Sequence, residues 1–301
     1  MDTLYFILLF ILGLAFGSFF NVLILRYDPD KNIFSFSRIS GRSHCPNCKT
    51  TLQWFELVPL LSFLIQWGRC RTCNAKLSYQ YPLVETLGGM IFAGVPLFLN
   101  FFYGVAHQAF FSFAAPYWYY GLVGAWIFVF SVFLLITAID FRLFIIPNEL
   151  TALLVFGGLA ISGFSTFIEK AMMMPFRTSF LEQYILVFPA FANSIWNHAL
   201  GAAAGFVFFL MLSLITRGRG IGFGDVKLAF AIGLLFGWPD IAIVTMLSFI
   251  IGGLWSVGLM LIGAKKMKDR VPFAPFFVLG ALLVFFFGSA IVKGYFGVFG
   301  L

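Results

Sequence analysis

Two aspartates stand in apolar surroundings where a charge is costly. Asp225 lies in the run Gly222-Phe223-Gly224-Asp225-Val226-Lys227, between two strongly apolar segments, and Asp140 ends the apolar run 134–139. Moving a carboxylate toward hydrocarbon costs at least about 2.5 kcal/mol, so an ionisable residue at that depth indicates a functional site. Two carboxylates that lie close together share a proton, and such a pair can activate water and protonate a carbonyl. The sequence therefore predicts a catalytic pair, Asp140 and Asp225, supported by Gly222, Gly224 and Lys227.

Two alternatives account for the same aspartates. In the first, Asp140 pairs with Arg142 and Asp225 with Lys227, as charged anchors at helix ends. In the second, the protein is a carrier that uses both aspartates to couple cation movement. Such carriers commonly show inverted repeats with broken helices in matching halves, whereas this sequence shows one broken segment and no recognised internal repeat.

Four cysteines form two Cys-x-x-Cys pairs, Cys45 with Cys48 and Cys70 with Cys73, separated by 21 residues. Two such turns supply four thiolates, which suits tetrahedral zinc or, less often, iron. A metal held by all four would have no open coordination position, which predicts a structural site. A redox dithiol and a pair of disulfides are alternatives, although a reducing cytoplasm disfavours stable disulfides. A scaffold that presents this metal loop to a partner is a further possibility.

The composition predicts a protein that crosses a lipid bilayer many times. Of the 301 residues, 61% are apolar and 10% are charged, whereas soluble domains carry about 25% charge. Apolar segments near the 20 or so residues that a bilayer requires predict about eight transmembrane helices in an all-α, polytopic fold with a small cytoplasmic zinc-binding loop domain. The predicted spans are 4–25, 81–101, 120–140, 149–168, 196–216, 225–238, 241–263 and 273–294, of which the sixth is short.

The positions of the basic residues predict the orientation. With the N-terminus outside, sixteen of the nineteen Lys and Arg residues fall on one side, and cytoplasmic loops carry such an excess. The net charge of +7 is therefore a topology signal, and no nucleic-acid partner is predicted. In this scheme the loop 26–79 is cytoplasmic, and Asp140 and Asp225 lie at one depth near the cytoplasmic interface. If the third and sixth helices are neighbours, the two carboxylates face each other.

Two polar residues in the first two spans are harder to assign. Asn21 follows Gly17-Ser18 in the first span, where small and polar residues commonly serve helix packing and interhelical hydrogen bonds. Glu85 lies inside the start of the second span, beside the cysteine loop. It is either a packing salt bridge to a loop arginine or part of a second site.

These motifs resemble the type IV prepilin peptidases, a family of polytopic aspartic proteases of bacterial inner membranes. The resemblance covers nearly the whole chain. The run 222–227 is similar to the family's Gly-x-Gly-Asp-x-Lys, and Asp140 with Ile146-Pro147-Asn148 resembles its first aspartate motif. Arg270-Val271-Pro272-Phe273-Ala274-Pro275-Phe276 is similar to Lys-Ile-Pro-Phe-Gly-Pro-Phe. The segments that resemble the bifunctional members, which also N-methylate the new terminus, are Gly17-Ser18-Phe19-Phe20-Asn21-Val22, the cysteine pairs and Tyr81-Pro82-Leu83-Val84-Glu85.

The resemblance implies an activity and a division of the chain. Residues 102–301 would form the intramembrane peptidase, which cleaves the basic leaders of prepilins and pseudopilins on the cytoplasmic side. Residues 1–101 would contribute to methyl transfer from S-adenosylmethionine, with Glu56, Glu85 and Asn21 as candidate residues. The N-terminus would be periplasmic, and no oligomeric state is implied. The chain has Glu56-Leu57-Val58-Pro59 where members often have Glu-Asn-Ile-Pro, so a role of that Asn in methyl transfer has no counterpart here.

Overall fold

The computed structural model describes residues 3–31, 33, 40–102, 117–172, 179–181, 193–218, 220–266 and 269–298. Within these ranges the chain is helical, apart from turns, loops and two isolated β-bridges. A short 3-10 helix covers Trp54–Leu57, and the α-helices are α1 (Thr3–Leu25), α2 (Leu61–Ile65), α3 (Gln80–Phe102), α4 (Tyr117–Leu143), α5 (Asn148–Met172), α6 (Ser194–Ile215), α7 (Phe223–Phe236), α8 (Asp240–Leu261) and α9 (Ala274–Val298). The predicted all-α fold is confirmed.

Each of the eight predicted spans falls on a helix, and seven of these helices are long and apolar enough to cross a membrane. The exception is α7, which has 14 residues. At 1.5 Å per residue it is about 21 Å long, whereas the hydrocarbon core is about 30 Å thick. The span predicted to be short is therefore too short to cross the bilayer unaided.

The first compact unit, Met1–Gly104, is held together by close packing of α1 against α3. A Cβ atom on Gly17 would lie 2.6 Å from Glu85 Cα, and one on Gly13 would lie 2.8 Å from Gly89 Cα. Helix backbones approach this closely only where the facing residues are small. The small residues of the first span thus serve helix packing, as one interpretation of the sequence predicted.

The second compact unit, Val105–Leu301, is arranged around α7. This helix packs against α5, α6, α8 and α9, and Val226, Leu228 and Ile232 are fully buried in it. A helix that is apolar on all sides is one that must be surrounded by protein or lipid. The contact with α6 depends on glycine, because a Cβ atom on Gly201 would lie 2.5 Å from the carbonyl carbon of Gly237. The short helix that carries Asp225 is therefore held by its neighbours on several sides.

A short segment, 179–181, packs beside the last turn of α7. The Ser179 hydroxyl donates to Asp240 Oδ1 (2.7 Å), and the Phe180 backbone N–H donates to Asp240 Oδ2 (2.9 Å). The Phe180 ring lies 5.4 Å from Trp126 and 5.8 Å from Phe236, between ring centroids. Asp240, the first residue of α8, is fully buried, so its two bonds satisfy a carboxylate that would otherwise be costly to bury.

Candidate active site

Asp140 lies in the last turn of α4 and is almost completely buried. Its Oδ2 accepts a hydrogen bond from the backbone N–H of Ala274 (3.2 Å), the first residue of α9. The first N–H groups of a helix have no partner within that helix, so the start of α9 offers a donor that a carboxylate can accept. The segment 270–276 thus reaches Asp140 through its backbone.

Asp225 is the third residue of α7, and the loop before it sets the position of its carboxylate. Gly222 is the N-cap of α7, and its backbone N–H donates to Asp225 Oδ2 (3.0 Å). A Cβ atom on Gly222 would lie 3.5 Å from that same oxygen. Asp225 therefore caps the helix that contains it, which fixes one carboxylate oxygen and leaves the other for a further partner.

The two aspartate segments are brought together in the fold. Asp140 lies in the last turn of α4, and Asp225 lies in the first turn of α7. Helices α5 and α9 each pack against both α4 and α7. A Cβ atom on Gly224 would lie 3.4 Å from Ile146 Cβ, which places the loop after α4 against the first turn of α7. The arrangement suits a pair of carboxylates that share a proton.

Lys227 joins the same two segments by a second connection. Its ammonium donates to Asn148 Oδ1 (2.9 Å) and lies 5.0 Å from the centre of the Phe223 ring. Asn148 is the first residue of α5. Within the described residues Lys227 forms no ion pair with Asp225, so the alternative in which it neutralises that aspartate is wrong. Lys227 instead links the start of α7 to the start of α5.

A cavity of about 500 Å³ opens beside Lys227, between α5, α6 and α7. Its walls are mostly carbon, and Asn148 and Lys227 stand among its lining residues. The others are Thr151, Ala152, Val155, Phe206 and Phe230. Concave apolar sites with a few polar groups are typical binding sites for ligands. An apolar binding space therefore lies beside α7, the helix that carries Asp225.

The four cysteines converge in the loop between α1 and α3. Their sulfur atoms all lie within 4.8 Å of one another, and the Cys45–Cys73 and Cys48–Cys70 sulfur pairs are each separated by 3.9 Å. Tetrahedral zinc with Zn–S bonds of about 2.3 Å requires sulfurs about 3.8 Å apart. The set fits a zinc ion.

The two cysteine pairs have the same local backbone structure. The Cys45 carbonyl accepts the N–H of Lys49 (3.0 Å), and the Cys70 carbonyl accepts the N–H of Asn74 (2.9 Å). Lys49 and Asn74 both have positive φ, at 59° and 57°, and each pair is closed by one isolated β-bridge. Segments 43–52 and 68–77 are thus a structural repeat that the sequence analysis missed, although a Cys-x-x-Cys followed four residues later by Leu in both was a visible signal.

The candidate methyl-transfer residues are held in two places. Glu85 accepts the backbone N–H of Leu60 (2.8 Å). Among the described residues it forms no salt bridge to a loop arginine, which was one of the two interpretations of this residue. Asn21 donates to the Tyr81 carbonyl (3.1 Å), one turn before Glu85 on α3, and its buried Oδ1 has no partner among the described atoms. Glu56 accepts the backbone N–H of Gln53 (2.8 Å) at the start of the 3-10 helix.

Two residues of the site were not assigned a role from the sequence. Asn148 was recognised only as part of a motif, and it bonds Lys227. Ala274 contributes a backbone N–H, which no side-chain pattern reports. The following Pro275 was the available signal, because proline is common in the first turn of a helix and marks where unpaired N–H groups occur.

Comparison with known proteins gives matches over both units. A model of the bacterial peptidase A24 N-terminal domain matches residues 11–99, and a model of the type IV leader peptidase family matches residues 127–257. The chain is 31% identical to a prepilin leader peptidase/N-methyltransferase of Bacillus subtilis, over 96% of each chain. Proteins of the same name from Aeromonas hydrophila and Legionella pneumophila are 28% and 26% identical, over 98% and 95% of this chain and 95% and 92% of theirs. No solved structure matches.

Proposed function

This chain belongs to the type IV leader peptidase family, and we propose that it cleaves the leaders of prepilins and pseudopilins and then N-methylates the new terminus. The observation that carries the peptidase assignment is the meeting of the segments that hold Asp140 and Asp225, through the Gly224–Ile146 contact and the Lys227–Asn148 hydrogen bond. Relatives that match over nearly the whole chain carry both activities in their names.

The two carboxylates divide the work of peptide hydrolysis. One oxygen of Asp140 accepts the Ala274 N–H and one oxygen of Asp225 accepts the Gly222 N–H, which leaves the other oxygen of each for water and substrate. The ionised carboxylate removes a proton from water as its oxygen attacks the scissile carbonyl, while the protonated carboxyl donates to the carbonyl oxygen. Protonation of the amine and collapse of the tetrahedral intermediate then break the C–N bond. Both carboxylates are required, because one acts as base and the other as acid.

The cavity beside Lys227 suits the apolar part of such a substrate. A prepilin carries a basic leader, a glycine at the junction and then an apolar helix. The mostly carbon lining of the cavity, at about 500 Å³, would accept apolar side chains that follow the scissile bond. Lys227 lies two residues after Asp225 on α7, so the cavity lies on a different face of the helix that carries the catalytic carboxylate.

The first unit is assigned to methyl transfer and to a structural zinc ion. Cys45, Cys48, Cys70 and Cys73 would hold the zinc as four thiolates, which fits their sulfur separations. S-adenosylmethionine would supply the methyl group to the new amine. It carries a positive sulfonium and an ammonium, and the carboxylates of Glu56 and Glu85 and the unpaired Oδ1 of Asn21 are all acceptors. These residues therefore have the charge and hydrogen-bonding character that a cationic donor requires.

We also place the protein in the bacterial inner membrane with its N-terminus in the periplasm. The excess of Lys and Arg in the loop 26–79, at the end of α4 (Arg142) and in the loops after α6 and α8 supports this orientation. Both aspartates and the cysteine loop would then face the cytoplasm, where a leader is accessible before export.

Mass spectrometry of a peptide substrate tests the proposal. A peptide with a basic leader, a Gly-Phe junction and an apolar helix is incubated with the detergent-purified protein and S-adenosylmethionine. We expect a product that is shortened at the junction and heavier by one methyl group than the plain cleavage product. Asp140→Ala and Asp225→Ala should each abolish cleavage, and a variant that still cleaves in a single turnover removes its residue from the pair. An untouched peptide with the native protein, beside a processed control, would overturn the peptidase assignment.

A further inference from the structure

The loop between α1 and α3 exposes large apolar side chains. Leu61, Leu64, Ile65 and Trp67, here called the interfacial patch, are 57%, 66%, 75% and 89% exposed. They lie within seven consecutive residues, and Trp54 nearby is also exposed. Contiguous exposed apolar surface of this kind marks an interaction site.

The helix α2 presents this patch on one face. Leu61, Leu64 and Ile65 have the i, i+3, i+4 spacing that places side chains on the same side of a helix. Phe63 points the other way, because its ring lies 5.9 Å from the ring of Tyr79 and fills the space beside Gly68. The inward contacts of α2 are therefore made by Phe63, and its outward apolar face is left without a partner among the described residues.

Trp67 occupies a position where glycine is usual. It has a positive φ of 53°, and the backbone N–H of Gly68 bonds the Phe63 carbonyl (2.9 Å) across it, which is the Schellman end of a helix. Bulky residues rarely adopt this conformation. A tryptophan here exposes its indole at a cost in backbone energy, and Trp, like Tyr, is enriched at the boundary between water and lipid.

A hydrogen bond places the start of α2 at the edge of the bilayer. The Leu60 backbone N–H donates to Glu85, and Glu85 lies five residues into α3, which spans the membrane by length and hydropathy. Five residues correspond to about 7.5 Å along a helix. Residue 60 is therefore at the depth of the first turns of a transmembrane helix, and α2 begins at the next residue.

The surroundings of the patch are basic. Arg69, Arg71 and Lys76 follow Trp67 in the second cysteine segment and are exposed, and the Arg71 guanidinium lies 5.3 Å from the centre of the Phe55 ring. The loop 26–79 contains eight Lys and Arg and three acidic residues. Basic segments next to a membrane are attracted to anionic headgroups.

We propose that α2 and Trp67 dock onto the bilayer surface, with the interfacial patch in the headgroup region and the adjacent basic residues on anionic phospholipids. Three observations point to lipid as the occupant: the tie of Leu60 to Glu85, the connection of the loop to membrane helices at both ends, and the positive charge. A peripheral helix that carries leucine, isoleucine and tryptophan on one face inserts about 5–10 Å into this region. The proposal does not depend on the peptidase activity.

Spin-label accessibility in nanodiscs tests the proposal on the full chain. A nitroxide is attached through a ketone-bearing amino acid at position 64 or 65, so that the four cysteines stay unlabelled, and at the exposed Thr51 as a control. The nanodiscs contain phosphatidylethanolamine and phosphatidylglycerol. Oxygen concentrates in lipid and a nickel chelate in water, so the oxygen-to-nickel accessibility ratio should be several-fold higher at 64 and 65 than at 51.

Two results would overturn the proposal. A label at 64 as open to nickel as the label at 51 would show that the patch is in water. A label reached by neither reagent would show that protein covers it, whether a second copy, the other unit of the chain or a substrate. Samples with the elution volume and thermal unfolding of the native protein are used, so that neither result arises from misfolding.

A second experiment tests the contribution of charge. Replacing phosphatidylglycerol with phosphatidylcholine should lower the accessibility ratio at 64 and 65, and an unchanged ratio would remove the charge contribution from the proposal.

Discussion

At the scale of single residues, the candidate catalytic carboxylates are positioned by backbone N–H groups. Gly222 donates to Asp225 and Ala274 donates to Asp140. Neither donor carries a charge of its own, and among the described residues no ion pair is formed with either carboxylate. Lys227, a cation two residues after Asp225, is held by Asn148. Through this hydrogen bond, Lys227 helps to fix the position of the start of α7.

The Lys227–Asn148 hydrogen bond should therefore support the cleavage rate. A bond to a charged group contributes about 1.5–3 kcal/mol, so Lys227→Met and Asn148→Ala should each lower kcat/KM by about ten- to a hundredfold if the whole bond bears on the transition state. Because the two substitutions remove the same hydrogen bond, kcat/KM of the double variant should be little lower than that of either single variant. Fully additive losses in this cycle, measured by peptide cleavage, would show that the two residues act separately. Lys293→Met, at an exposed position of α9, is the control for loss of charge.

At the scale of elements, the short helix α7 depends on the helices around it. With 14 residues it is too short to cross the bilayer unaided, and its buried face meets α6 through glycine. The segment 179–181, bound to Asp240, packs against its last turn. Because neighbouring elements pack against α7 on several sides, they fix the position of Asp225.

A methyl group at Gly201 should loosen this packing. Its Cβ would lie 2.5 Å from the Gly237 carbonyl carbon, and overpacking of this kind costs about 1–3 kcal/mol. We expect Gly201→Ala to unfold at a lower temperature and to cleave more slowly. Gly253→Ala on α8 is the matched control, because a Cβ there meets nothing within 4 Å. Equal behaviour of the two variants in detergent unfolding and cleavage assays would contradict the close α6–α7 contact.

The cysteine loop should affect methylation more than cleavage. Cys70→Ser removes one of four thiolates, so bound zinc measured by mass spectrometry of the purified protein should fall from about one per chain. Because Cys70 lies in the unit Met1–Gly104 and both aspartates lie in the other, methyl incorporation should fall further than cleavage. An equal loss of both activities in a protein that retains its native unfolding profile would reject this separation.

At the scale of the whole molecule, the chain combines seven helices able to span a membrane with a strongly uneven distribution of basic residues. The family and the helical architecture agree on a multi-pass membrane enzyme. The side on which the aspartates lie follows from the charge distribution and is a prediction.

A protease site inserted after Gly41 tests that orientation. Gly41 is exposed, with a φ of 103° and no atom within 4 Å of a Cβ built on it, so an insertion there should be tolerated. We expect cleavage of the inserted site in inverted membrane vesicles and protection in intact spheroplasts. The same site appended after Leu301 should behave in the opposite way. The reverse pattern would place the cysteine loop and the aspartates in the periplasm.

The sequence by itself determined the membrane class, the positions of the long helices and the cysteine cluster. Each of these depends on local pattern: a run of apolar residues near 20 long buries itself in lipid, and closely spaced cysteines chelate from short turns. The geometry of the Gly-x-Gly-Asp run is also local, because the Gly222 N–H donates to the Asp225 carboxylate within one turn. The short α7 was visible as a short apolar segment.

Only the tertiary structure decided which distant groups meet. Ala274 is 134 residues from Asp140 and Asn148 is 79 residues from Lys227, and no periodicity in the sequence pairs them. Glu85 bonds the Leu60 backbone, a partner that neither interpretation of the sequence named, since every residue except proline carries a backbone N–H and the sequence does not mark which one is used. The outward face of α2 likewise became evident only once Phe63 was seen to pack inward. Local spacing sets which elements form, whereas the packing of one element on another sets the partners that each buried polar group finds.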